Sequence, residues 1–174
     1  MFACALRELL EKGQGKYRNL MLVGPANCGK TFLLNPLNTL YQTFTNPATT
    51  SYAWIGSENA EVIFLNDFRW SKEILSWKEM LLLLEGQTVH FPAPKSHFAK
   101  DICLDKDTPI FATGKESIKY IGRYNIEDER ETEMMNARWK IFNFTRQIPQ
   151  DEQREIISCV KCFAKLVLHG EEQI

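Results

Sequence analysis

Asn19-Leu-Met-Leu-Val23-Gly24-Pro-Ala-Asn-Cys-Gly29-Lys30-Thr31 is the stretch that decides the fold. Asn19 to Val23 is a nearly continuous apolar run, the pattern of a buried strand in a parallel sheet. From Gly24 on, the chain fits G-x-x-x-x-G-K-[ST] at every fixed position. Gly24 and Gly29 let the backbone take positive φ and approach phosphate oxygens closely. The N–H groups of Pro25-Ala26-Asn27-Cys28, less that of the proline, form with the following helix a concave anion site. Lys30 adds a point charge for the β and γ phosphates, and the Thr31 hydroxyl can ligate Mg²⁺. The stretch therefore predicts an ATP site with Mg²⁺ as cofactor. The helix is expected from about Gly29 to Leu40, kinked or shortened at Pro36.

Outward from this loop, strands and helices alternate. Glu61-Val-Ile-Phe-Leu65 reads as a second buried strand ending at Asn66-Asp67, and Pro109-Ile-Phe-Ala-Thr113 as a third. Tyr52–Ile55 is a short strand candidate, and residues 44–50 are a turn cluster. Gln87–Phe91 and Ala99–Leu104 alternate like a hairpin whose tip holds Lys95, His97 and Lys100. Arg138–Phe144 is a further strand. Helices are expected at 2–12, closed by Gly13, at 72–85 and at 151–169, with Ile156, Val160, Phe163 and Val167 facing inward in the last. The acidic stretch 124–135 reads as a solvated loop. The fold class is α/β, a P-loop NTPase with a central, mostly parallel sheet flanked by helices and a protruding β-hairpin.

Composition sets limits. The chain of 174 residues has room for one domain, spanning 1–174. Hydrophobics at 44% and charged residues at 25% exclude a disordered or collagen-like chain. Lys plus Arg (21) nearly cancels Asp plus Glu (22), so nucleic-acid contact must be local rather than a general basic coat. No apolar run approaches the ~18 residues of a membrane span. The odd cysteine count, five, with irregular spacing points to a reducing compartment, the nucleus or cytoplasm. Cys159 and Cys162 form a C-x-x-C with His169 downstream. Two small helix-face residues are the simpler account, a metal site the other.

With these motifs placed, the chain resembles the ATPase domain of a superfamily 3 helicase, closest in pattern to the parvovirus non-structural (replication) protein. The resemblance runs from about Phe2 to His169. Gly24–Thr31 matches the family's G-P-A-x-x-G-K-[ST], and Val62–Asp67 resembles its second motif. Gly86–Val89 through Lys95, Ser96 and His97 to Lys100 resembles the B′ stretch and hairpin. Thr108–Thr113 resembles motif C, and Arg138–Arg146 the terminal R-M-x-x-F segment. Asn66-Asp67-Phe68 is also similar to the D-D-F of circular single-stranded DNA virus replication proteins, a sister lineage.

The resemblance implies the AAA+-like type of this fold and an ATP-hydrolysing helicase that translocates on single-stranded DNA as a homo-oligomeric ring, a hexamer when assembled. Lys30, Asp67 and Arg138 are then the catalytic residues. Asp67, at the end of its strand, holds Mg²⁺ with Thr31 or positions water; the alternative is a turn cap. Arg138 reaches a neighbouring subunit's nucleotide, with Arg146 a second candidate; the alternative is a strand-edge arginine. Lys95, His97 and Lys100 hold DNA phosphates at the hairpin tip. Asn66 stands where the family has a further acid, and Lys115 where it has a sensor asparagine. Neither can do what the family residue does, which favours a second hypothesis, a nucleotide-binding assembly module with little hydrolysis. Family proteins carry an origin-binding or nickase domain ahead of the ATPase, for which this chain is too short, so it is expected to be a fragment, a truncated gene product or a domain that works with a separate partner. The helix within 1–14 is the expected remnant of an oligomerisation segment.

Overall fold

Alternation along the strands sorts this chain into layers. A computed structural model describes residues 1–47, 52–92, 101–154 and 156–169. The strands are β1 (Asn19–Val23), β2 (Thr43–Thr45), β3 (Val62–Leu65), β4 (Val89–Phe91), β5 (Ile102–Leu104), β6 (Ile110–Gly114) and β7 (Trp139–Asn143). The helices are α1 (Phe2–Lys12), α2 (Lys30–Leu34), α3 (Leu37–Leu40), α4 (Trp77–Leu84), α5 (Glu129–Asn136) and α6 (Val160–His169).

Five strands form one sheet in the order β2-β3-β6-β1-β7, and every pairing is parallel. Each central strand splits its side chains between two cores, the period of two of a strand covered on both faces. Met21 and Val23 of β1, Ile63 and Leu65 of β3 and Ile110 and Ala112 of β6 enter one core. It is closed by α4 and by the antiparallel hairpin β4–β5. Leu20 and Leu22, Val62 and Phe64, and Phe111 enter the other, closed by α1, Leu34 and Leu37 and Phe163 of α6. Truncating a fully buried leucine such as Leu22 (0% exposed) would cost about 2–5 kcal/mol. This is the α/β class expected, a central parallel sheet between helices.

Several boundaries differ from the sequence expectation. Pro36 splits the helix after the loop into α2 and α3. Phe44 and Thr45, the first residues of the turn cluster, belong instead to β2, which pairs with β3 as the sheet edge. Tyr52–Ile55 is a turn, not a strand. Tyr52 takes φ 69° and Gly56 φ 92°, while the Trp54 indole N–H is held by the Ile74 carbonyl at 3.0 Å. The helix expected at 72–85 begins only at Trp77, where Ser76 and Glu79 form a capping box. The acidic stretch holds α5 rather than a loop. Asp128 caps it, accepting from Glu131 N–H at 3.1 Å, and Glu129 and Glu131 lie in its first turn, where negative charge is favoured. The last helix starts at Val160, and Ile156, placed inward by periodicity, is 64% exposed. No helix among the described residues is long and apolar enough to cross a membrane.

Candidate nucleotide site

Parallel strands deliver their C-terminal ends to one edge of the sheet, and the site is built there. β1 ends in Gly24, β3 in Asn66-Asp67 and β6 in Gly114-Lys115. Gly24 still pairs with β6 through Gly24 N–H to Gly114 O at 3.2 Å. Its φ is 156°, and a Cβ there would lie 2.2 Å from the Phe144 carbonyl oxygen, so only glycine fits under the crossing chain. The loop then turns through left-handed conformations at Asn27 (φ 55°) and Gly29 (φ 86°). At Gly29 a Cβ would meet nothing within 4 Å; conformation, not space, calls for glycine.

Lys30 opens α2 and folds its ammonium back over the loop. It donates to the carbonyls of Gly24 (2.8 Å) and Pro25 (2.6 Å) and to Cys28 Sγ (3.3 Å). An ammonium has three donors and no acceptor, so phosphate oxygens can replace those neutral carbonyls with stronger charge-assisted bonds. The donor set of the loop fits an anionic phosphate chain.

The Thr31 hydroxyl donates to Asn66 Oδ1 at 2.7 Å, and the Thr113 hydroxyl donates to the same oxygen at 2.9 Å. Thr113 Oγ1 in turn accepts from the Asp67 N–H at 2.7 Å, and Asn46 donates to the Asn66 carbonyl at 2.7 Å. Asn66, rather than the adjacent Asp67, is the hydrogen-bond partner of Thr31. Asp67 takes φ 49° and is exposed, facing a second cleft of about 480 Å³ shared with Arg69, Lys115 and Lys119. An oxygen pair from Thr31 and Asn66 suits a hard cation but brings no charge. It fits a Mg²⁺ carried by phosphates rather than one gripped by the protein. Among the described residues no group of three or more His, Cys, Asp or Glu could hold a metal ion by itself. Sequence reasoning missed Thr113 and Asn46 as members of this network. The threonine ending the β6 motif was the available signal.

A cleft of about 450 Å³ opens beside the loop. Asn27 to Phe32 form one wall, and Ile148, Gln153, Arg154 and Ile156 line the other. The second wall is tied down at both ends of its approach: Phe144 N–H donates to Val23 O at 2.7 Å and Ile148 N–H to Asn27 O at 2.9 Å. Gln153, Arg154 and Ile156 of this wall were expected to be helix, so they were not foreseen as lining.

Arg138 is corrected as well. It was expected to reach out to a second subunit, yet it is 6% exposed and lies at the opposite edge of the sheet, just before Trp139, which pairs with Asn19 at the start of β1. Its Nε donates to Leu81 O (3.0 Å), one terminal nitrogen to Met134 O and the other to Glu85 (2.7 Å). Arg138 thus adds a second donor to the Leu81 carbonyl in the last turn of α4, which also accepts from the Glu85 N–H at 3.2 Å. Arg146 is the exposed arginine of this segment, its side chain 79% exposed and paired with Glu152 at 3.1 Å. Lys115 is exposed just after β6. Lys95, His97 and Lys100 lie outside the described residues. The hairpin strands that lead to them are buried at Val89, Phe91, Ile102 and Leu104.

Comparison with known proteins gives a distant likeness. No protein-family model matches the sequence, and no curated protein does. Two solved structures of JCV helicase are similar in chain trace. One, bound to a thiazolopyridine acetamide compound, has a TM-score of 0.48 at 14% identity, over 80% of this chain. The other has a TM-score of 0.42 at 12% identity, over 82% of this chain. The chain spans 38% of the length of either.

Proposed function

We propose that this chain is a superfamily 3-type ATPase domain that binds ATP with Mg²⁺ on Gly24–Thr31 and couples it to movement along single-stranded DNA in a ring of copies. One observation carries the nucleotide reading. The Lys30 ammonium sits inside a loop of the right sequence, and the Thr31 hydroxyl lies 2.7 Å from Asn66 at the end of β3. In this reading Lys30 binds and neutralises phosphate oxygens, and the loop N–H groups orient them. Mg²⁺, when bound, offsets charge on the β and γ phosphates, with Thr31 and Asn66 as its protein oxygens. Asp67 and Lys115 stand at the adjoining strand ends, where a water could be oriented. Arg146, exposed on the segment that crosses the loop, takes the role of reaching a neighbouring copy. The five motifs in family order support the DNA and ring parts, with Lys95, His97 and Lys100 as phosphate contacts.

Asn66 favours a second reading, a module that binds nucleotide and assembles but hydrolyses slowly. An amide oxygen satisfies two hydroxyls without supplying the negative charge that an acid would. The test is equilibrium binding of a fluorescent ATP analogue, then ATP turnover with and without single-stranded DNA across protein concentrations, beside Lys30→Ala. DNA-stimulated turnover that rises more than proportionally with concentration supports the motor. Binding without turnover leaves the module, and binding unaffected by Lys30→Ala overturns both.

A further inference from the structure

We infer that Cys159 and Cys162 are a redox-active dithiol that closes to a disulfide across the first turn of α6. The inference does not depend on the nucleotide reading. Cys159 stands just before the helix, its carbonyl accepting from Phe163 N–H at 3.0 Å. Cys162 is the third helical residue, and its N–H donates to Cys159 Sγ at 3.2 Å. Sulfur thus takes the place of the capping hydroxyl. A pair deep inside a helix would resist bridging. Here one partner is outside the helix and one turn away, within the Cα separation a disulfide needs.

Accessibility separates this pair from the other cysteines. Cys159 and Cys162 are exposed, Cys28 is buried, and Cys4 and Cys103 are half-buried. The two thiols are also unequal. Hydrogen bonding from the Cys162 side chain, then from its backbone N–H, with the Lys161 charge nearby, holds the Cys159 thiol below its ordinary range. The same contact pushes the Cys162 thiol up, with Lys165 opposing. Cys159 is therefore the attacking sulfur and Cys162 the resolving one. Among the described residues no third ligand joins the pair, and His169 lies about 15 Å along the helix axis from Cys159.

The oxidant required is a low-molecular-weight disulfide such as glutathione disulfide. The Cys159 thiolate attacks one of its sulfurs, the S–S bond breaks, and one glutathione thiolate leaves. Cys162 loses its proton and attacks Cys159 Sγ, displacing the second glutathione thiolate. The dithiol gives up two electrons and two protons, and the disulfide becomes two thiols.

The experiment equilibrates the full chain in glutathione buffers of graded ratio, quenches in acid, alkylates free thiols and maps peptides by mass. The expected product is a bridged peptide about 2 Da lighter, whose ratio to the dithiol follows oxidised glutathione divided by the square of reduced glutathione. Cys28 should remain a thiol throughout. Cys162→Ser should accumulate a glutathione adduct on Cys159, and iodoacetamide should label Cys159 several-fold faster than Cys162 in the native chain. Both sites are exposed, so far-UV circular dichroism of the serine variants should match the parent. Two free thiols across the whole series, or adducts that never resolve to a bridge, would overturn the inference. So would faster labelling of Cys162.

Discussion

Asn66 offers the site two lone pairs and no charge. A carboxylate at this position could still accept from Thr31 and Thr113 while adding a negative charge beside the phosphates' cation. Asn66→Asp is therefore expected to make nucleotide affinity depend on Mg²⁺ by about tenfold, roughly 1.4 kcal/mol, measured by titration with and without the metal. An unchanged Mg²⁺ dependence would show that the cation does not approach this residue. Arg138 makes the opposite kind of prediction. Arg138→Ala removes the bonds to Leu81, Met134 and Glu85, leaves Glu85 with Lys16, and is expected to cost about 1–3 kcal/mol in urea unfolding. The remaining native fraction should hydrolyse with unchanged dependence on concentration; a loss of that dependence at full stability would restore the inter-subunit role. Neither position was legible from pattern. Asn66 and Asp67 are adjacent at a strand end, where successive side chains leave on opposite sides, and sequence alone does not say which side faces Thr31. Arg138 sits in a segment whose resemblance gave it a surface role, while its burial depends on α4 and α5 closing over it.

At the scale of elements, local chemistry sets the boundaries. Ser76 ends a turn and starts α4 by accepting from Glu79 N–H at 3.2 Å, while Glu79 reaches back to Ser76 N–H at 3.2 Å. Ser76→Ala should lower stability by about 1 kcal/mol in the same urea assay, and Ser76→Asp should restore most of it. Helix α1 is tied to β7 by Glu8, which accepts from Lys12 (3.2 Å) and Lys140 (3.3 Å). Those bonds hold the Glu8 carboxyl below the usual carboxylate range. A folded value below the unfolded one means the contribution is full above the unfolded value and fades as pH falls through the folded one. Glu8→Gln should therefore flatten the loss of stability on acidification below about pH 4.5, seen by thermal melts at a series of pH values. β1, β3 and β6 were legible because strands buried on both faces are apolar without interruption. α5 was not, since its polar composition masks acids that suit a helix N-terminus. The stretch before α6 was misjudged for the converse reason. Ile156 and Ile157 continue a helical period, yet they are 64% and 94% exposed, beyond the backbone bonds that Phe144 and Ile148 make to Val23 and Asn27.

For the molecule as a whole, the parallel sheet separates two kinds of work. The loop, Asn66-Asp67 and Lys115 gather at the C-terminal edge, while Asn19 and Arg138 fasten the opposite one. Asn19 is fully buried, and its amide donates to Gly15 O, Leu84 O and Arg138 O, joining β1 to α4 and β7. Changes at that edge should register as unfolding, those at the first as altered binding. The segment from Phe144 to Ile156 crosses the loop, touches it at Val23 and Asn27, and carries the exposed Arg154 into the wall of the cleft. Trypsin cutting after Arg154 acts on this wall, and a ligand bound between it and the loop would restrain the segment. Cleavage there should slow by roughly the fraction of chains occupied, because a ligand that spans both walls removes the open form from which the protease draws. The lifetime of one peptide bond then serves as a gauge of site occupancy, readable on a gel without any labelled nucleotide.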